Sequence, residues 1–162
     1  MLGLFEPMML VPGPATRYAF APRDFHIMAL LGRGTFGNVV KVRHQATGAV
    51  YAMKIIDKSR FHQARNMVEV RRELAILDEI QHPNIVGYHG VFQTSSKLYV
   101  LLDFLSGGDL FYHIQHAVEN RFSEGASQFY LAEMALAIAH LRQRNIIHRD
   151  VKGNNFVLDH DG

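Results

Sequence analysis

The chain has 162 residues, 48% apolar and 20% charged, with 17 Lys plus Arg, 15 Asp plus Glu and no cysteine. At about 150 residues per domain this is one domain, able to bury roughly two thirds of its unfolded surface, so a wholly disordered chain is excluded. The net charge of +2, mixed along the sequence, argues against nucleic acid as a main partner, and the lack of cysteine excludes disulfides, thiolate zinc sites and cysteine nucleophiles.

Residues 1–22 carry Pro7, Pro12, Pro14 and Pro22, four of the five prolines, and are expected to form an irregular arm. The apolar start, Met1 to Val11, contains Glu6 and Pro7 and has no cationic leading region, unlike a signal peptide. The stretch Phe129 to Leu141 is broken by Glu133 and His140 and is shorter than the roughly 20 residues a bilayer span needs. The expectation is a soluble protein without a membrane span, cytoplasmic, with the nucleus also open to it.

From Phe25 the pattern becomes β-rich. Ile27, Leu30 and Leu31 lead into Gly32-Arg33-Gly34-Thr35-Phe36-Gly37, then Val39 to Arg43, a turn at Thr47-Gly48 and a second run from Val50 to Ile56. This predicts an antiparallel hairpin after a glycine loop. A helix is predicted over roughly Ala64 to Ile80, with Met67, Val70, Leu74 and Leu77 as its apolar stripe, ending at His82-Pro83-Asn84. Strands are predicted over Ile85 to Phe92 and Leu98 to Phe104, separated by the polar Gln93 to Ser96. Ser106-Gly107-Gly108 is a breaker before a short helix, Asp109 to His116. The last helix starts at Ser123, a good N-cap, with Glu124 in its first turn. From Phe129 to Ala139 it is apolar on almost every side, as helices surrounded by other elements are. Few residues follow it, so an incomplete domain with a sticky surface is expected.

Four groups of residues point to chemistry. Glycines at 32, 34 and 37 let backbone approach phosphate oxygens, and the pattern serves dinucleotides, ATP or a plain hairpin turn. The β-branched Val39, Val40 and Val42 that follow disfavour a dinucleotide-binding oxidoreductase, whose glycines run straight into a helix. Strand alternation puts Ala52 and Lys54 on one face and Met53 on the other. An ammonium flanked by Ala-Met and Ile-Ile either snorkels from an edge strand or meets an anion. Glu73 shares a helix face with Val70 and Leu77 and has no cation at i±3 or i±4; it is a solvated edge residue or has a non-local partner. In the run Ile146 to Asn155, Asp150, Lys152 and Asn155 crowd one loop: a carboxylate that can accept a proton, an ammonium that can neutralise phosphate, and a carbonyl oxygen suited to magnesium. His113 and His116 are spaced like a metal pair, but with no cysteine and only Asp109 and Glu119 nearby they fit solvated helix residues better. The stripe Tyr130, Met134, Ile138 and Leu141 fits core better than a cofactor site.

Together these residues resemble the protein kinases over about 25–162. Gly32-x-Gly34-x-x-Gly37-x-Val39 resembles the glycine-rich loop, Ala52-Met53-Lys54 the strand lysine, Glu73 its helix partner, and His148-Arg149-Asp150-x-Lys152-x-x-Asn155 the catalytic loop. The resemblance implies an α+β two-lobe fold: a β-rich small lobe with its helix and hinge over 23–105, then the start of a helical large lobe over 106–162. It implies an ATP- and Mg2+-dependent kinase acting on a serine or threonine hydroxyl of a protein substrate, most similar to the AGC group. Asp150 would take the hydroxyl proton, Lys152 neutralise the transferred group, and Asn155 hold magnesium. Leu31, Val39, Ala52 and Val157 would sandwich adenine. Leu102 resembles the gatekeeper, Asp103 to Leu105 the hinge whose backbone binds adenine, and Asp109 the ribose contact. AGC kinases often carry Tyr where His148 stands and Pro-Glu where Gly153-Asn154 stand. The Asp-Phe-Gly motif is expected roughly six residues past Gly162 by family spacing. The competing expectation is a non-catalytic nucleotide-binding or scaffold protein of pseudokinase type.

Overall fold

The computed structural model describes residues 20–34, 37–60 and 74–162. Thr35, Phe36, Met67, Val70 and Glu73, and most of the arm, lie outside the described residues. The chain divides into two compact units. One holds the described residues through Ile80 together with Gly87–Phe104; the other holds Gln81–Val86 and Leu105–Gly162.

The first unit is an antiparallel sheet of β1 (Phe25–Gly34), β2 (Gly37–His44), β3 (Val50–Asp57), β4 (Tyr88–Gln93) and β5 (Lys97–Asp103), in the order β1-β2-β3-β5-β4. The predicted strand from Ile85 begins instead at Tyr88, because Ile85 N–H turns back to the His82 carbonyl at 3.1 Å. Residues 74–79 are helical (α1), and Leu77 is buried as its place in the stripe requires. Burial, with Asp78 nearby, pushes the Tyr88 hydroxyl up to about 12.

Alternation sorts the strands into two faces. Val40, Val42, Met53, Tyr99 and Leu101 build one core with Phe25 and Phe92. Phe25 and Phe92 belong to opposite edge strands, yet their rings stack at 5.6 Å, so the sheet curls until its edges meet. Phe92 also stacks on Tyr99 at 5.0 Å, and Phe20, at the end of the arm, meets Phe25 at 5.3 Å. The other face carries Ala52, Ile56, Leu98, Val100 and Leu102, all buried. Lys58, just past β3, is also buried. Its ammonium donates to Gln93 Oε1 at 2.9 Å and to the Thr94 carbonyl at 2.5 Å, and burial lowers its pKa.

The second unit contains β6 (Gly108–Asp109), α2 (Leu110–His116), α3 (Glu124–Gln143) and β7 (Val157–Leu158). Asp109 caps α2 by accepting from Tyr112 N–H at 2.8 Å, and Ser123 caps α3 by accepting from Ala126 N–H at 3.3 Å. Ala137 and Leu141 are the buried residues of α3, whereas Leu131 is 63% and Ile138 40% exposed. Among the described residues no helix is long and apolar enough to cross a membrane.

Phe92 touches rings from three other positions, so Phe92→Ala should destabilise the chain by about 3–5 kcal/mol and Phe92→Leu by clearly less. Denaturant midpoints of the two variants against the parent chain measure this.

Candidate active site

The residues of the loop Ile146 to Asn155 that the sequence singles out converge in the second unit. After α3 the chain reaches His148, whose side chain is buried. Its Nδ1 accepts from the Asp150 backbone N–H at 3.2 Å, which places the ring proton on Nε2. That Nε2 is buried without a hydrogen-bond partner among the described residues. Arg149 adopts φ 68°, a left-handed conformation costing a non-glycine residue about 1 kcal/mol, and turns the chain so that Asp150 follows.

Asp150 is the meeting point. Lys152 Nζ lies 2.8 Å from its Oδ2, and Asn155 Nδ2 donates to the same Oδ2 at 2.8 Å and to the Asp150 carbonyl at 2.6 Å. Those donors hold the carboxyl below the ordinary 3.8, so it stays ionised through neutral pH. The 3-10 turn Gly153–Asn155 brings Asn155 back to Asp150. Because both its acceptors are oxygens of Asp150, the amide nitrogen of Asn155 is the end facing the carboxylate. Its carbonyl oxygen is then the end suited to a hard cation, so the donor chemistry fits magnesium.

The loop is strapped to the entry of α2. Asp109 pairs with Val157 across β6 and β7, Gly107 N–H donates to the Leu158 carbonyl at 3.0 Å, and Leu110 N–H to the Phe156 carbonyl at 2.8 Å. A Cβ on Gly107 would stand 2.1 Å from the Asp159 carbonyl oxygen, and one on Gly153 3.2 Å from Phe111 Cβ. Two predicted nucleotide contacts, Asp109 and Val157, thus become register partners. Leu105 is half-buried at the start of the same segment. The two-residue β6–β7 ladder left no periodic signal, and only the glycine at 107 hinted at it.

In the first unit the register puts Val39 opposite Lys54, Lys54 opposite Val100, and Ala52 opposite Leu102. Val39, Ala52, Lys54 and Leu102 therefore share one face, as the alternation predicts. Leu31 is the extra residue of a bulge in β1 and is 44% exposed. Gly37 is required by the sheet itself, since a Cβ there would lie 1.9 Å from the Ile55 carbonyl oxygen. Gly32 has nothing within 4 Å of its Cβ position, Gly34 only the Gly37 carbonyl oxygen at 3.5 Å, and neither has a positive φ. Protein packing does not demand glycine at 32 and 34; the open space suits a closely approaching ligand. Lys41 was missed: it pairs with Ala52 on the same face and sits 4.1 Å from the Phe104 ring centroid. Its spacing of two from Val39 was the available signal. Asp103 turns its carboxylate to Gly87 N–H at 2.8 Å and His89 Nε2 at 2.6 Å. Glu73 lies outside the described residues.

His113 and His116 each have a ring nitrogen engaged by backbone: His113 Nε2 donates to the Gly107 carbonyl at 2.5 Å, and His116 Nδ1 donates to the Tyr112 carbonyl at 2.8 Å.

Residues 25–162 match the protein kinase domain model. The chain belongs to the protein kinase family. Over 151 residues, 93% of this chain, it is 42% identical to the serine/threonine-protein kinase sgk-1 of Caenorhabditis elegans. It is 40% identical to Sgk1 of Rattus norvegicus and 39% to Sgk1 of Homo sapiens, again over 93% of the chain. The chain spans about a third of these curated relatives, 32% of the first and 35% of the other two.

Burial holds the His148 ring below its ordinary 6.5 even with Asp150 nearby. Its depressed folded pKa contributes stability that is present above pH 6.5 and lost as pH falls below it. The melting temperature should drop from pH 7 to pH 5, and by less in His148→Tyr. Thermal unfolding of both across that range checks it; the comparison of variants separates His148 from His140, whose protonation is also disfavoured.

Proposed function

We propose that this chain carries the nucleotide face and catalytic loop of an ATP-dependent serine/threonine protein kinase. The observation that carries the reading is the convergence of Lys152 and Asn155 on one oxygen of Asp150. In this reading the ionised Asp150 orients a serine or threonine hydroxyl of a protein substrate and accepts its proton as the oxygen attacks. Its lowered pKa makes it a weak base, so positioning is its larger contribution and the proton moves late. Lys152, 2.8 Å from the Asp150 carboxylate, would share its charge with the transferring phosphoryl group. Asn155 would hold a magnesium ion, which supplies charge neutralisation of the phosphates when bound.

Leu31, Val39, Ala52, Leu102 and Val157 supply apolar surface for adenine, with the backbone of Asp103 to Leu105 as its polar edge. Gly32, Gly34 and Gly37 would admit the phosphates, and Lys54, with Glu73 as its proposed partner, would meet them. Asp109 already uses one carboxylate oxygen as a helix cap, which fixes the group that would meet ribose. The serine/threonine preference is supported by Lys152 and by the similarity to serine/threonine-protein kinases. An activity that draws on ATP and magnesium is best supported inside the cell, and we place it there.

In the whole protein, Asp150→Ala should lower phosphate transfer to a serine-containing protein by about 10³-fold while ATP binding persists. Lys54→Met should weaken both. Radiolabel transfer and calorimetric ATP titration measure the two effects; ATP binding by the parent protein without transfer would favour a nucleotide-binding scaffold instead.

A further inference from the structure

The chain enters the sheet unit at Gly87 and leaves it after Phe104. Gly87 is bonded to Asp103, the residue before the second crossing. Gly87 N–H donates to Asp103 Oδ2 at 2.8 Å, and Asp103 N–H donates to the Gly87 carbonyl at 2.9 Å. The second carboxylate oxygen, Oδ1, accepts from His89 Nε2 at 2.6 Å. A Cβ on Gly87 would lie 2.4 Å from Asp103 Oδ2, so a side chain there and the bonded carboxylate exclude one another.

The sequence around His89 is bent to make this contact. Tyr88 pairs with Leu102 and Gly90 with Leu101, leaving His89 as the extra residue of a bulge, and Gly90 takes φ 144°. The His89 ring is backed edge-on by Tyr51 at 4.9 Å, and Tyr51 is the β3 register partner of Asp103. Gly87, just before β4, and His89 within it therefore hold the carboxylate at the last residue of β5, with Tyr51 of β3 behind the His89 ring. By alternation that carboxylate is on the opposite sheet face from Leu102.

We propose that Gly87, His89 and Asp103 form a latch that fixes the backbone of Asp103 and Phe104 for adenine recognition, with His89 as a positioning residue. The inference rests on the ATP reading above. Backbone groups recognise a flat heteroaromatic edge best when their orientation is preset, because ordering them on binding subtracts from affinity. At the end of β5 the ladder stops, and the latch replaces it as the restraint on that backbone.

The test is calorimetric titration of the whole protein with ATP and with adenosine. His89→Phe keeps the ring against Tyr51 and removes the N–H donor. It should raise the Kd for both ligands by about three- to tenfold, by the same factor, at full stoichiometry. His89→Gln, which retains a donor, should restore affinity to within about twofold of the parent. Gly87→Ala should weaken adenosine binding in the parent and have no effect in an Asp103→Ala background. If His89→Phe does not fold, the Gly87/Asp103 cycle decides alone. Parent-like adenosine affinity in His89→Phe, or additive Gly87→Ala and Asp103→Ala effects, overturns the latch. Reduced stoichiometry at unchanged Kd also overturns it, since that marks a folding defect. A parent whole protein that binds no ATP overturns the kinase reading itself, and the latch with it.

Discussion

A half-exposed carboxylate at position 150 is held by two donors arriving on the same oxygen, Lys152 from two residues on and Asn155 from five. Each donor depends on the backbone between them. The turn Gly153–Asn155 can close because Gly153 leaves room for Phe111, and the strand that follows is tied to Gly107 and Leu110. The loop is thus fixed at its start by a buried imidazole and at its end by the entry of α2. No helix or sheet of its own is needed to keep three chemically different side chains within hydrogen-bond reach.

The sheet unit solves a different problem, that of keeping a cation on an apolar sheet face. β3 and β5 are buried on both faces, so one side can be sealed by stacked rings while the other keeps Ala52, Leu102 and Val39 around Lys54. Aromatic closure across the edges through Phe25 and Phe92 frees the opposite face from having to close the sheet. Lys41 against Phe104 extends that face toward the end of β5.

Much of this was legible because it is periodic or local. Period-two alternation placed Ala52 and Lys54 together and Met53 opposite, the breaker Ser106-Gly107-Gly108 marked the start of α2, and short-range capping chemistry located the start of α3 at Ser123. The crowding of Asp150, Lys152 and Asn155 was visible for the same reason. What escaped was non-local and unpatterned. Nothing near Asp103 in sequence announces His89, because a bulge re-aims the ring and bulges follow no period. The β6–β7 ladder joins residues some fifty apart over two positions. Lys58 is buried by neutral acceptors on a neighbouring turn, Gln93 and Thr94, where a lysine by itself predicts a solvated surface. His148 was read as part of a motif, whereas its burial and its bond to the Asp150 backbone emerge only when the chain folds around it.

The two-sided burial of β5 bears on how this sequence can change length. Residues 94–96 connect β4 to β5 outside the ladder, so insertions there leave every pairing in place. One residue gained or lost inside Lys97–Asp103 would exchange the two sides of the strand, sending Tyr99 and Leu101 toward Lys54 and Val100 and Leu102 into the ring cluster. Length variation among natural versions of this chain should therefore collect at the turn and stop abruptly at Lys97.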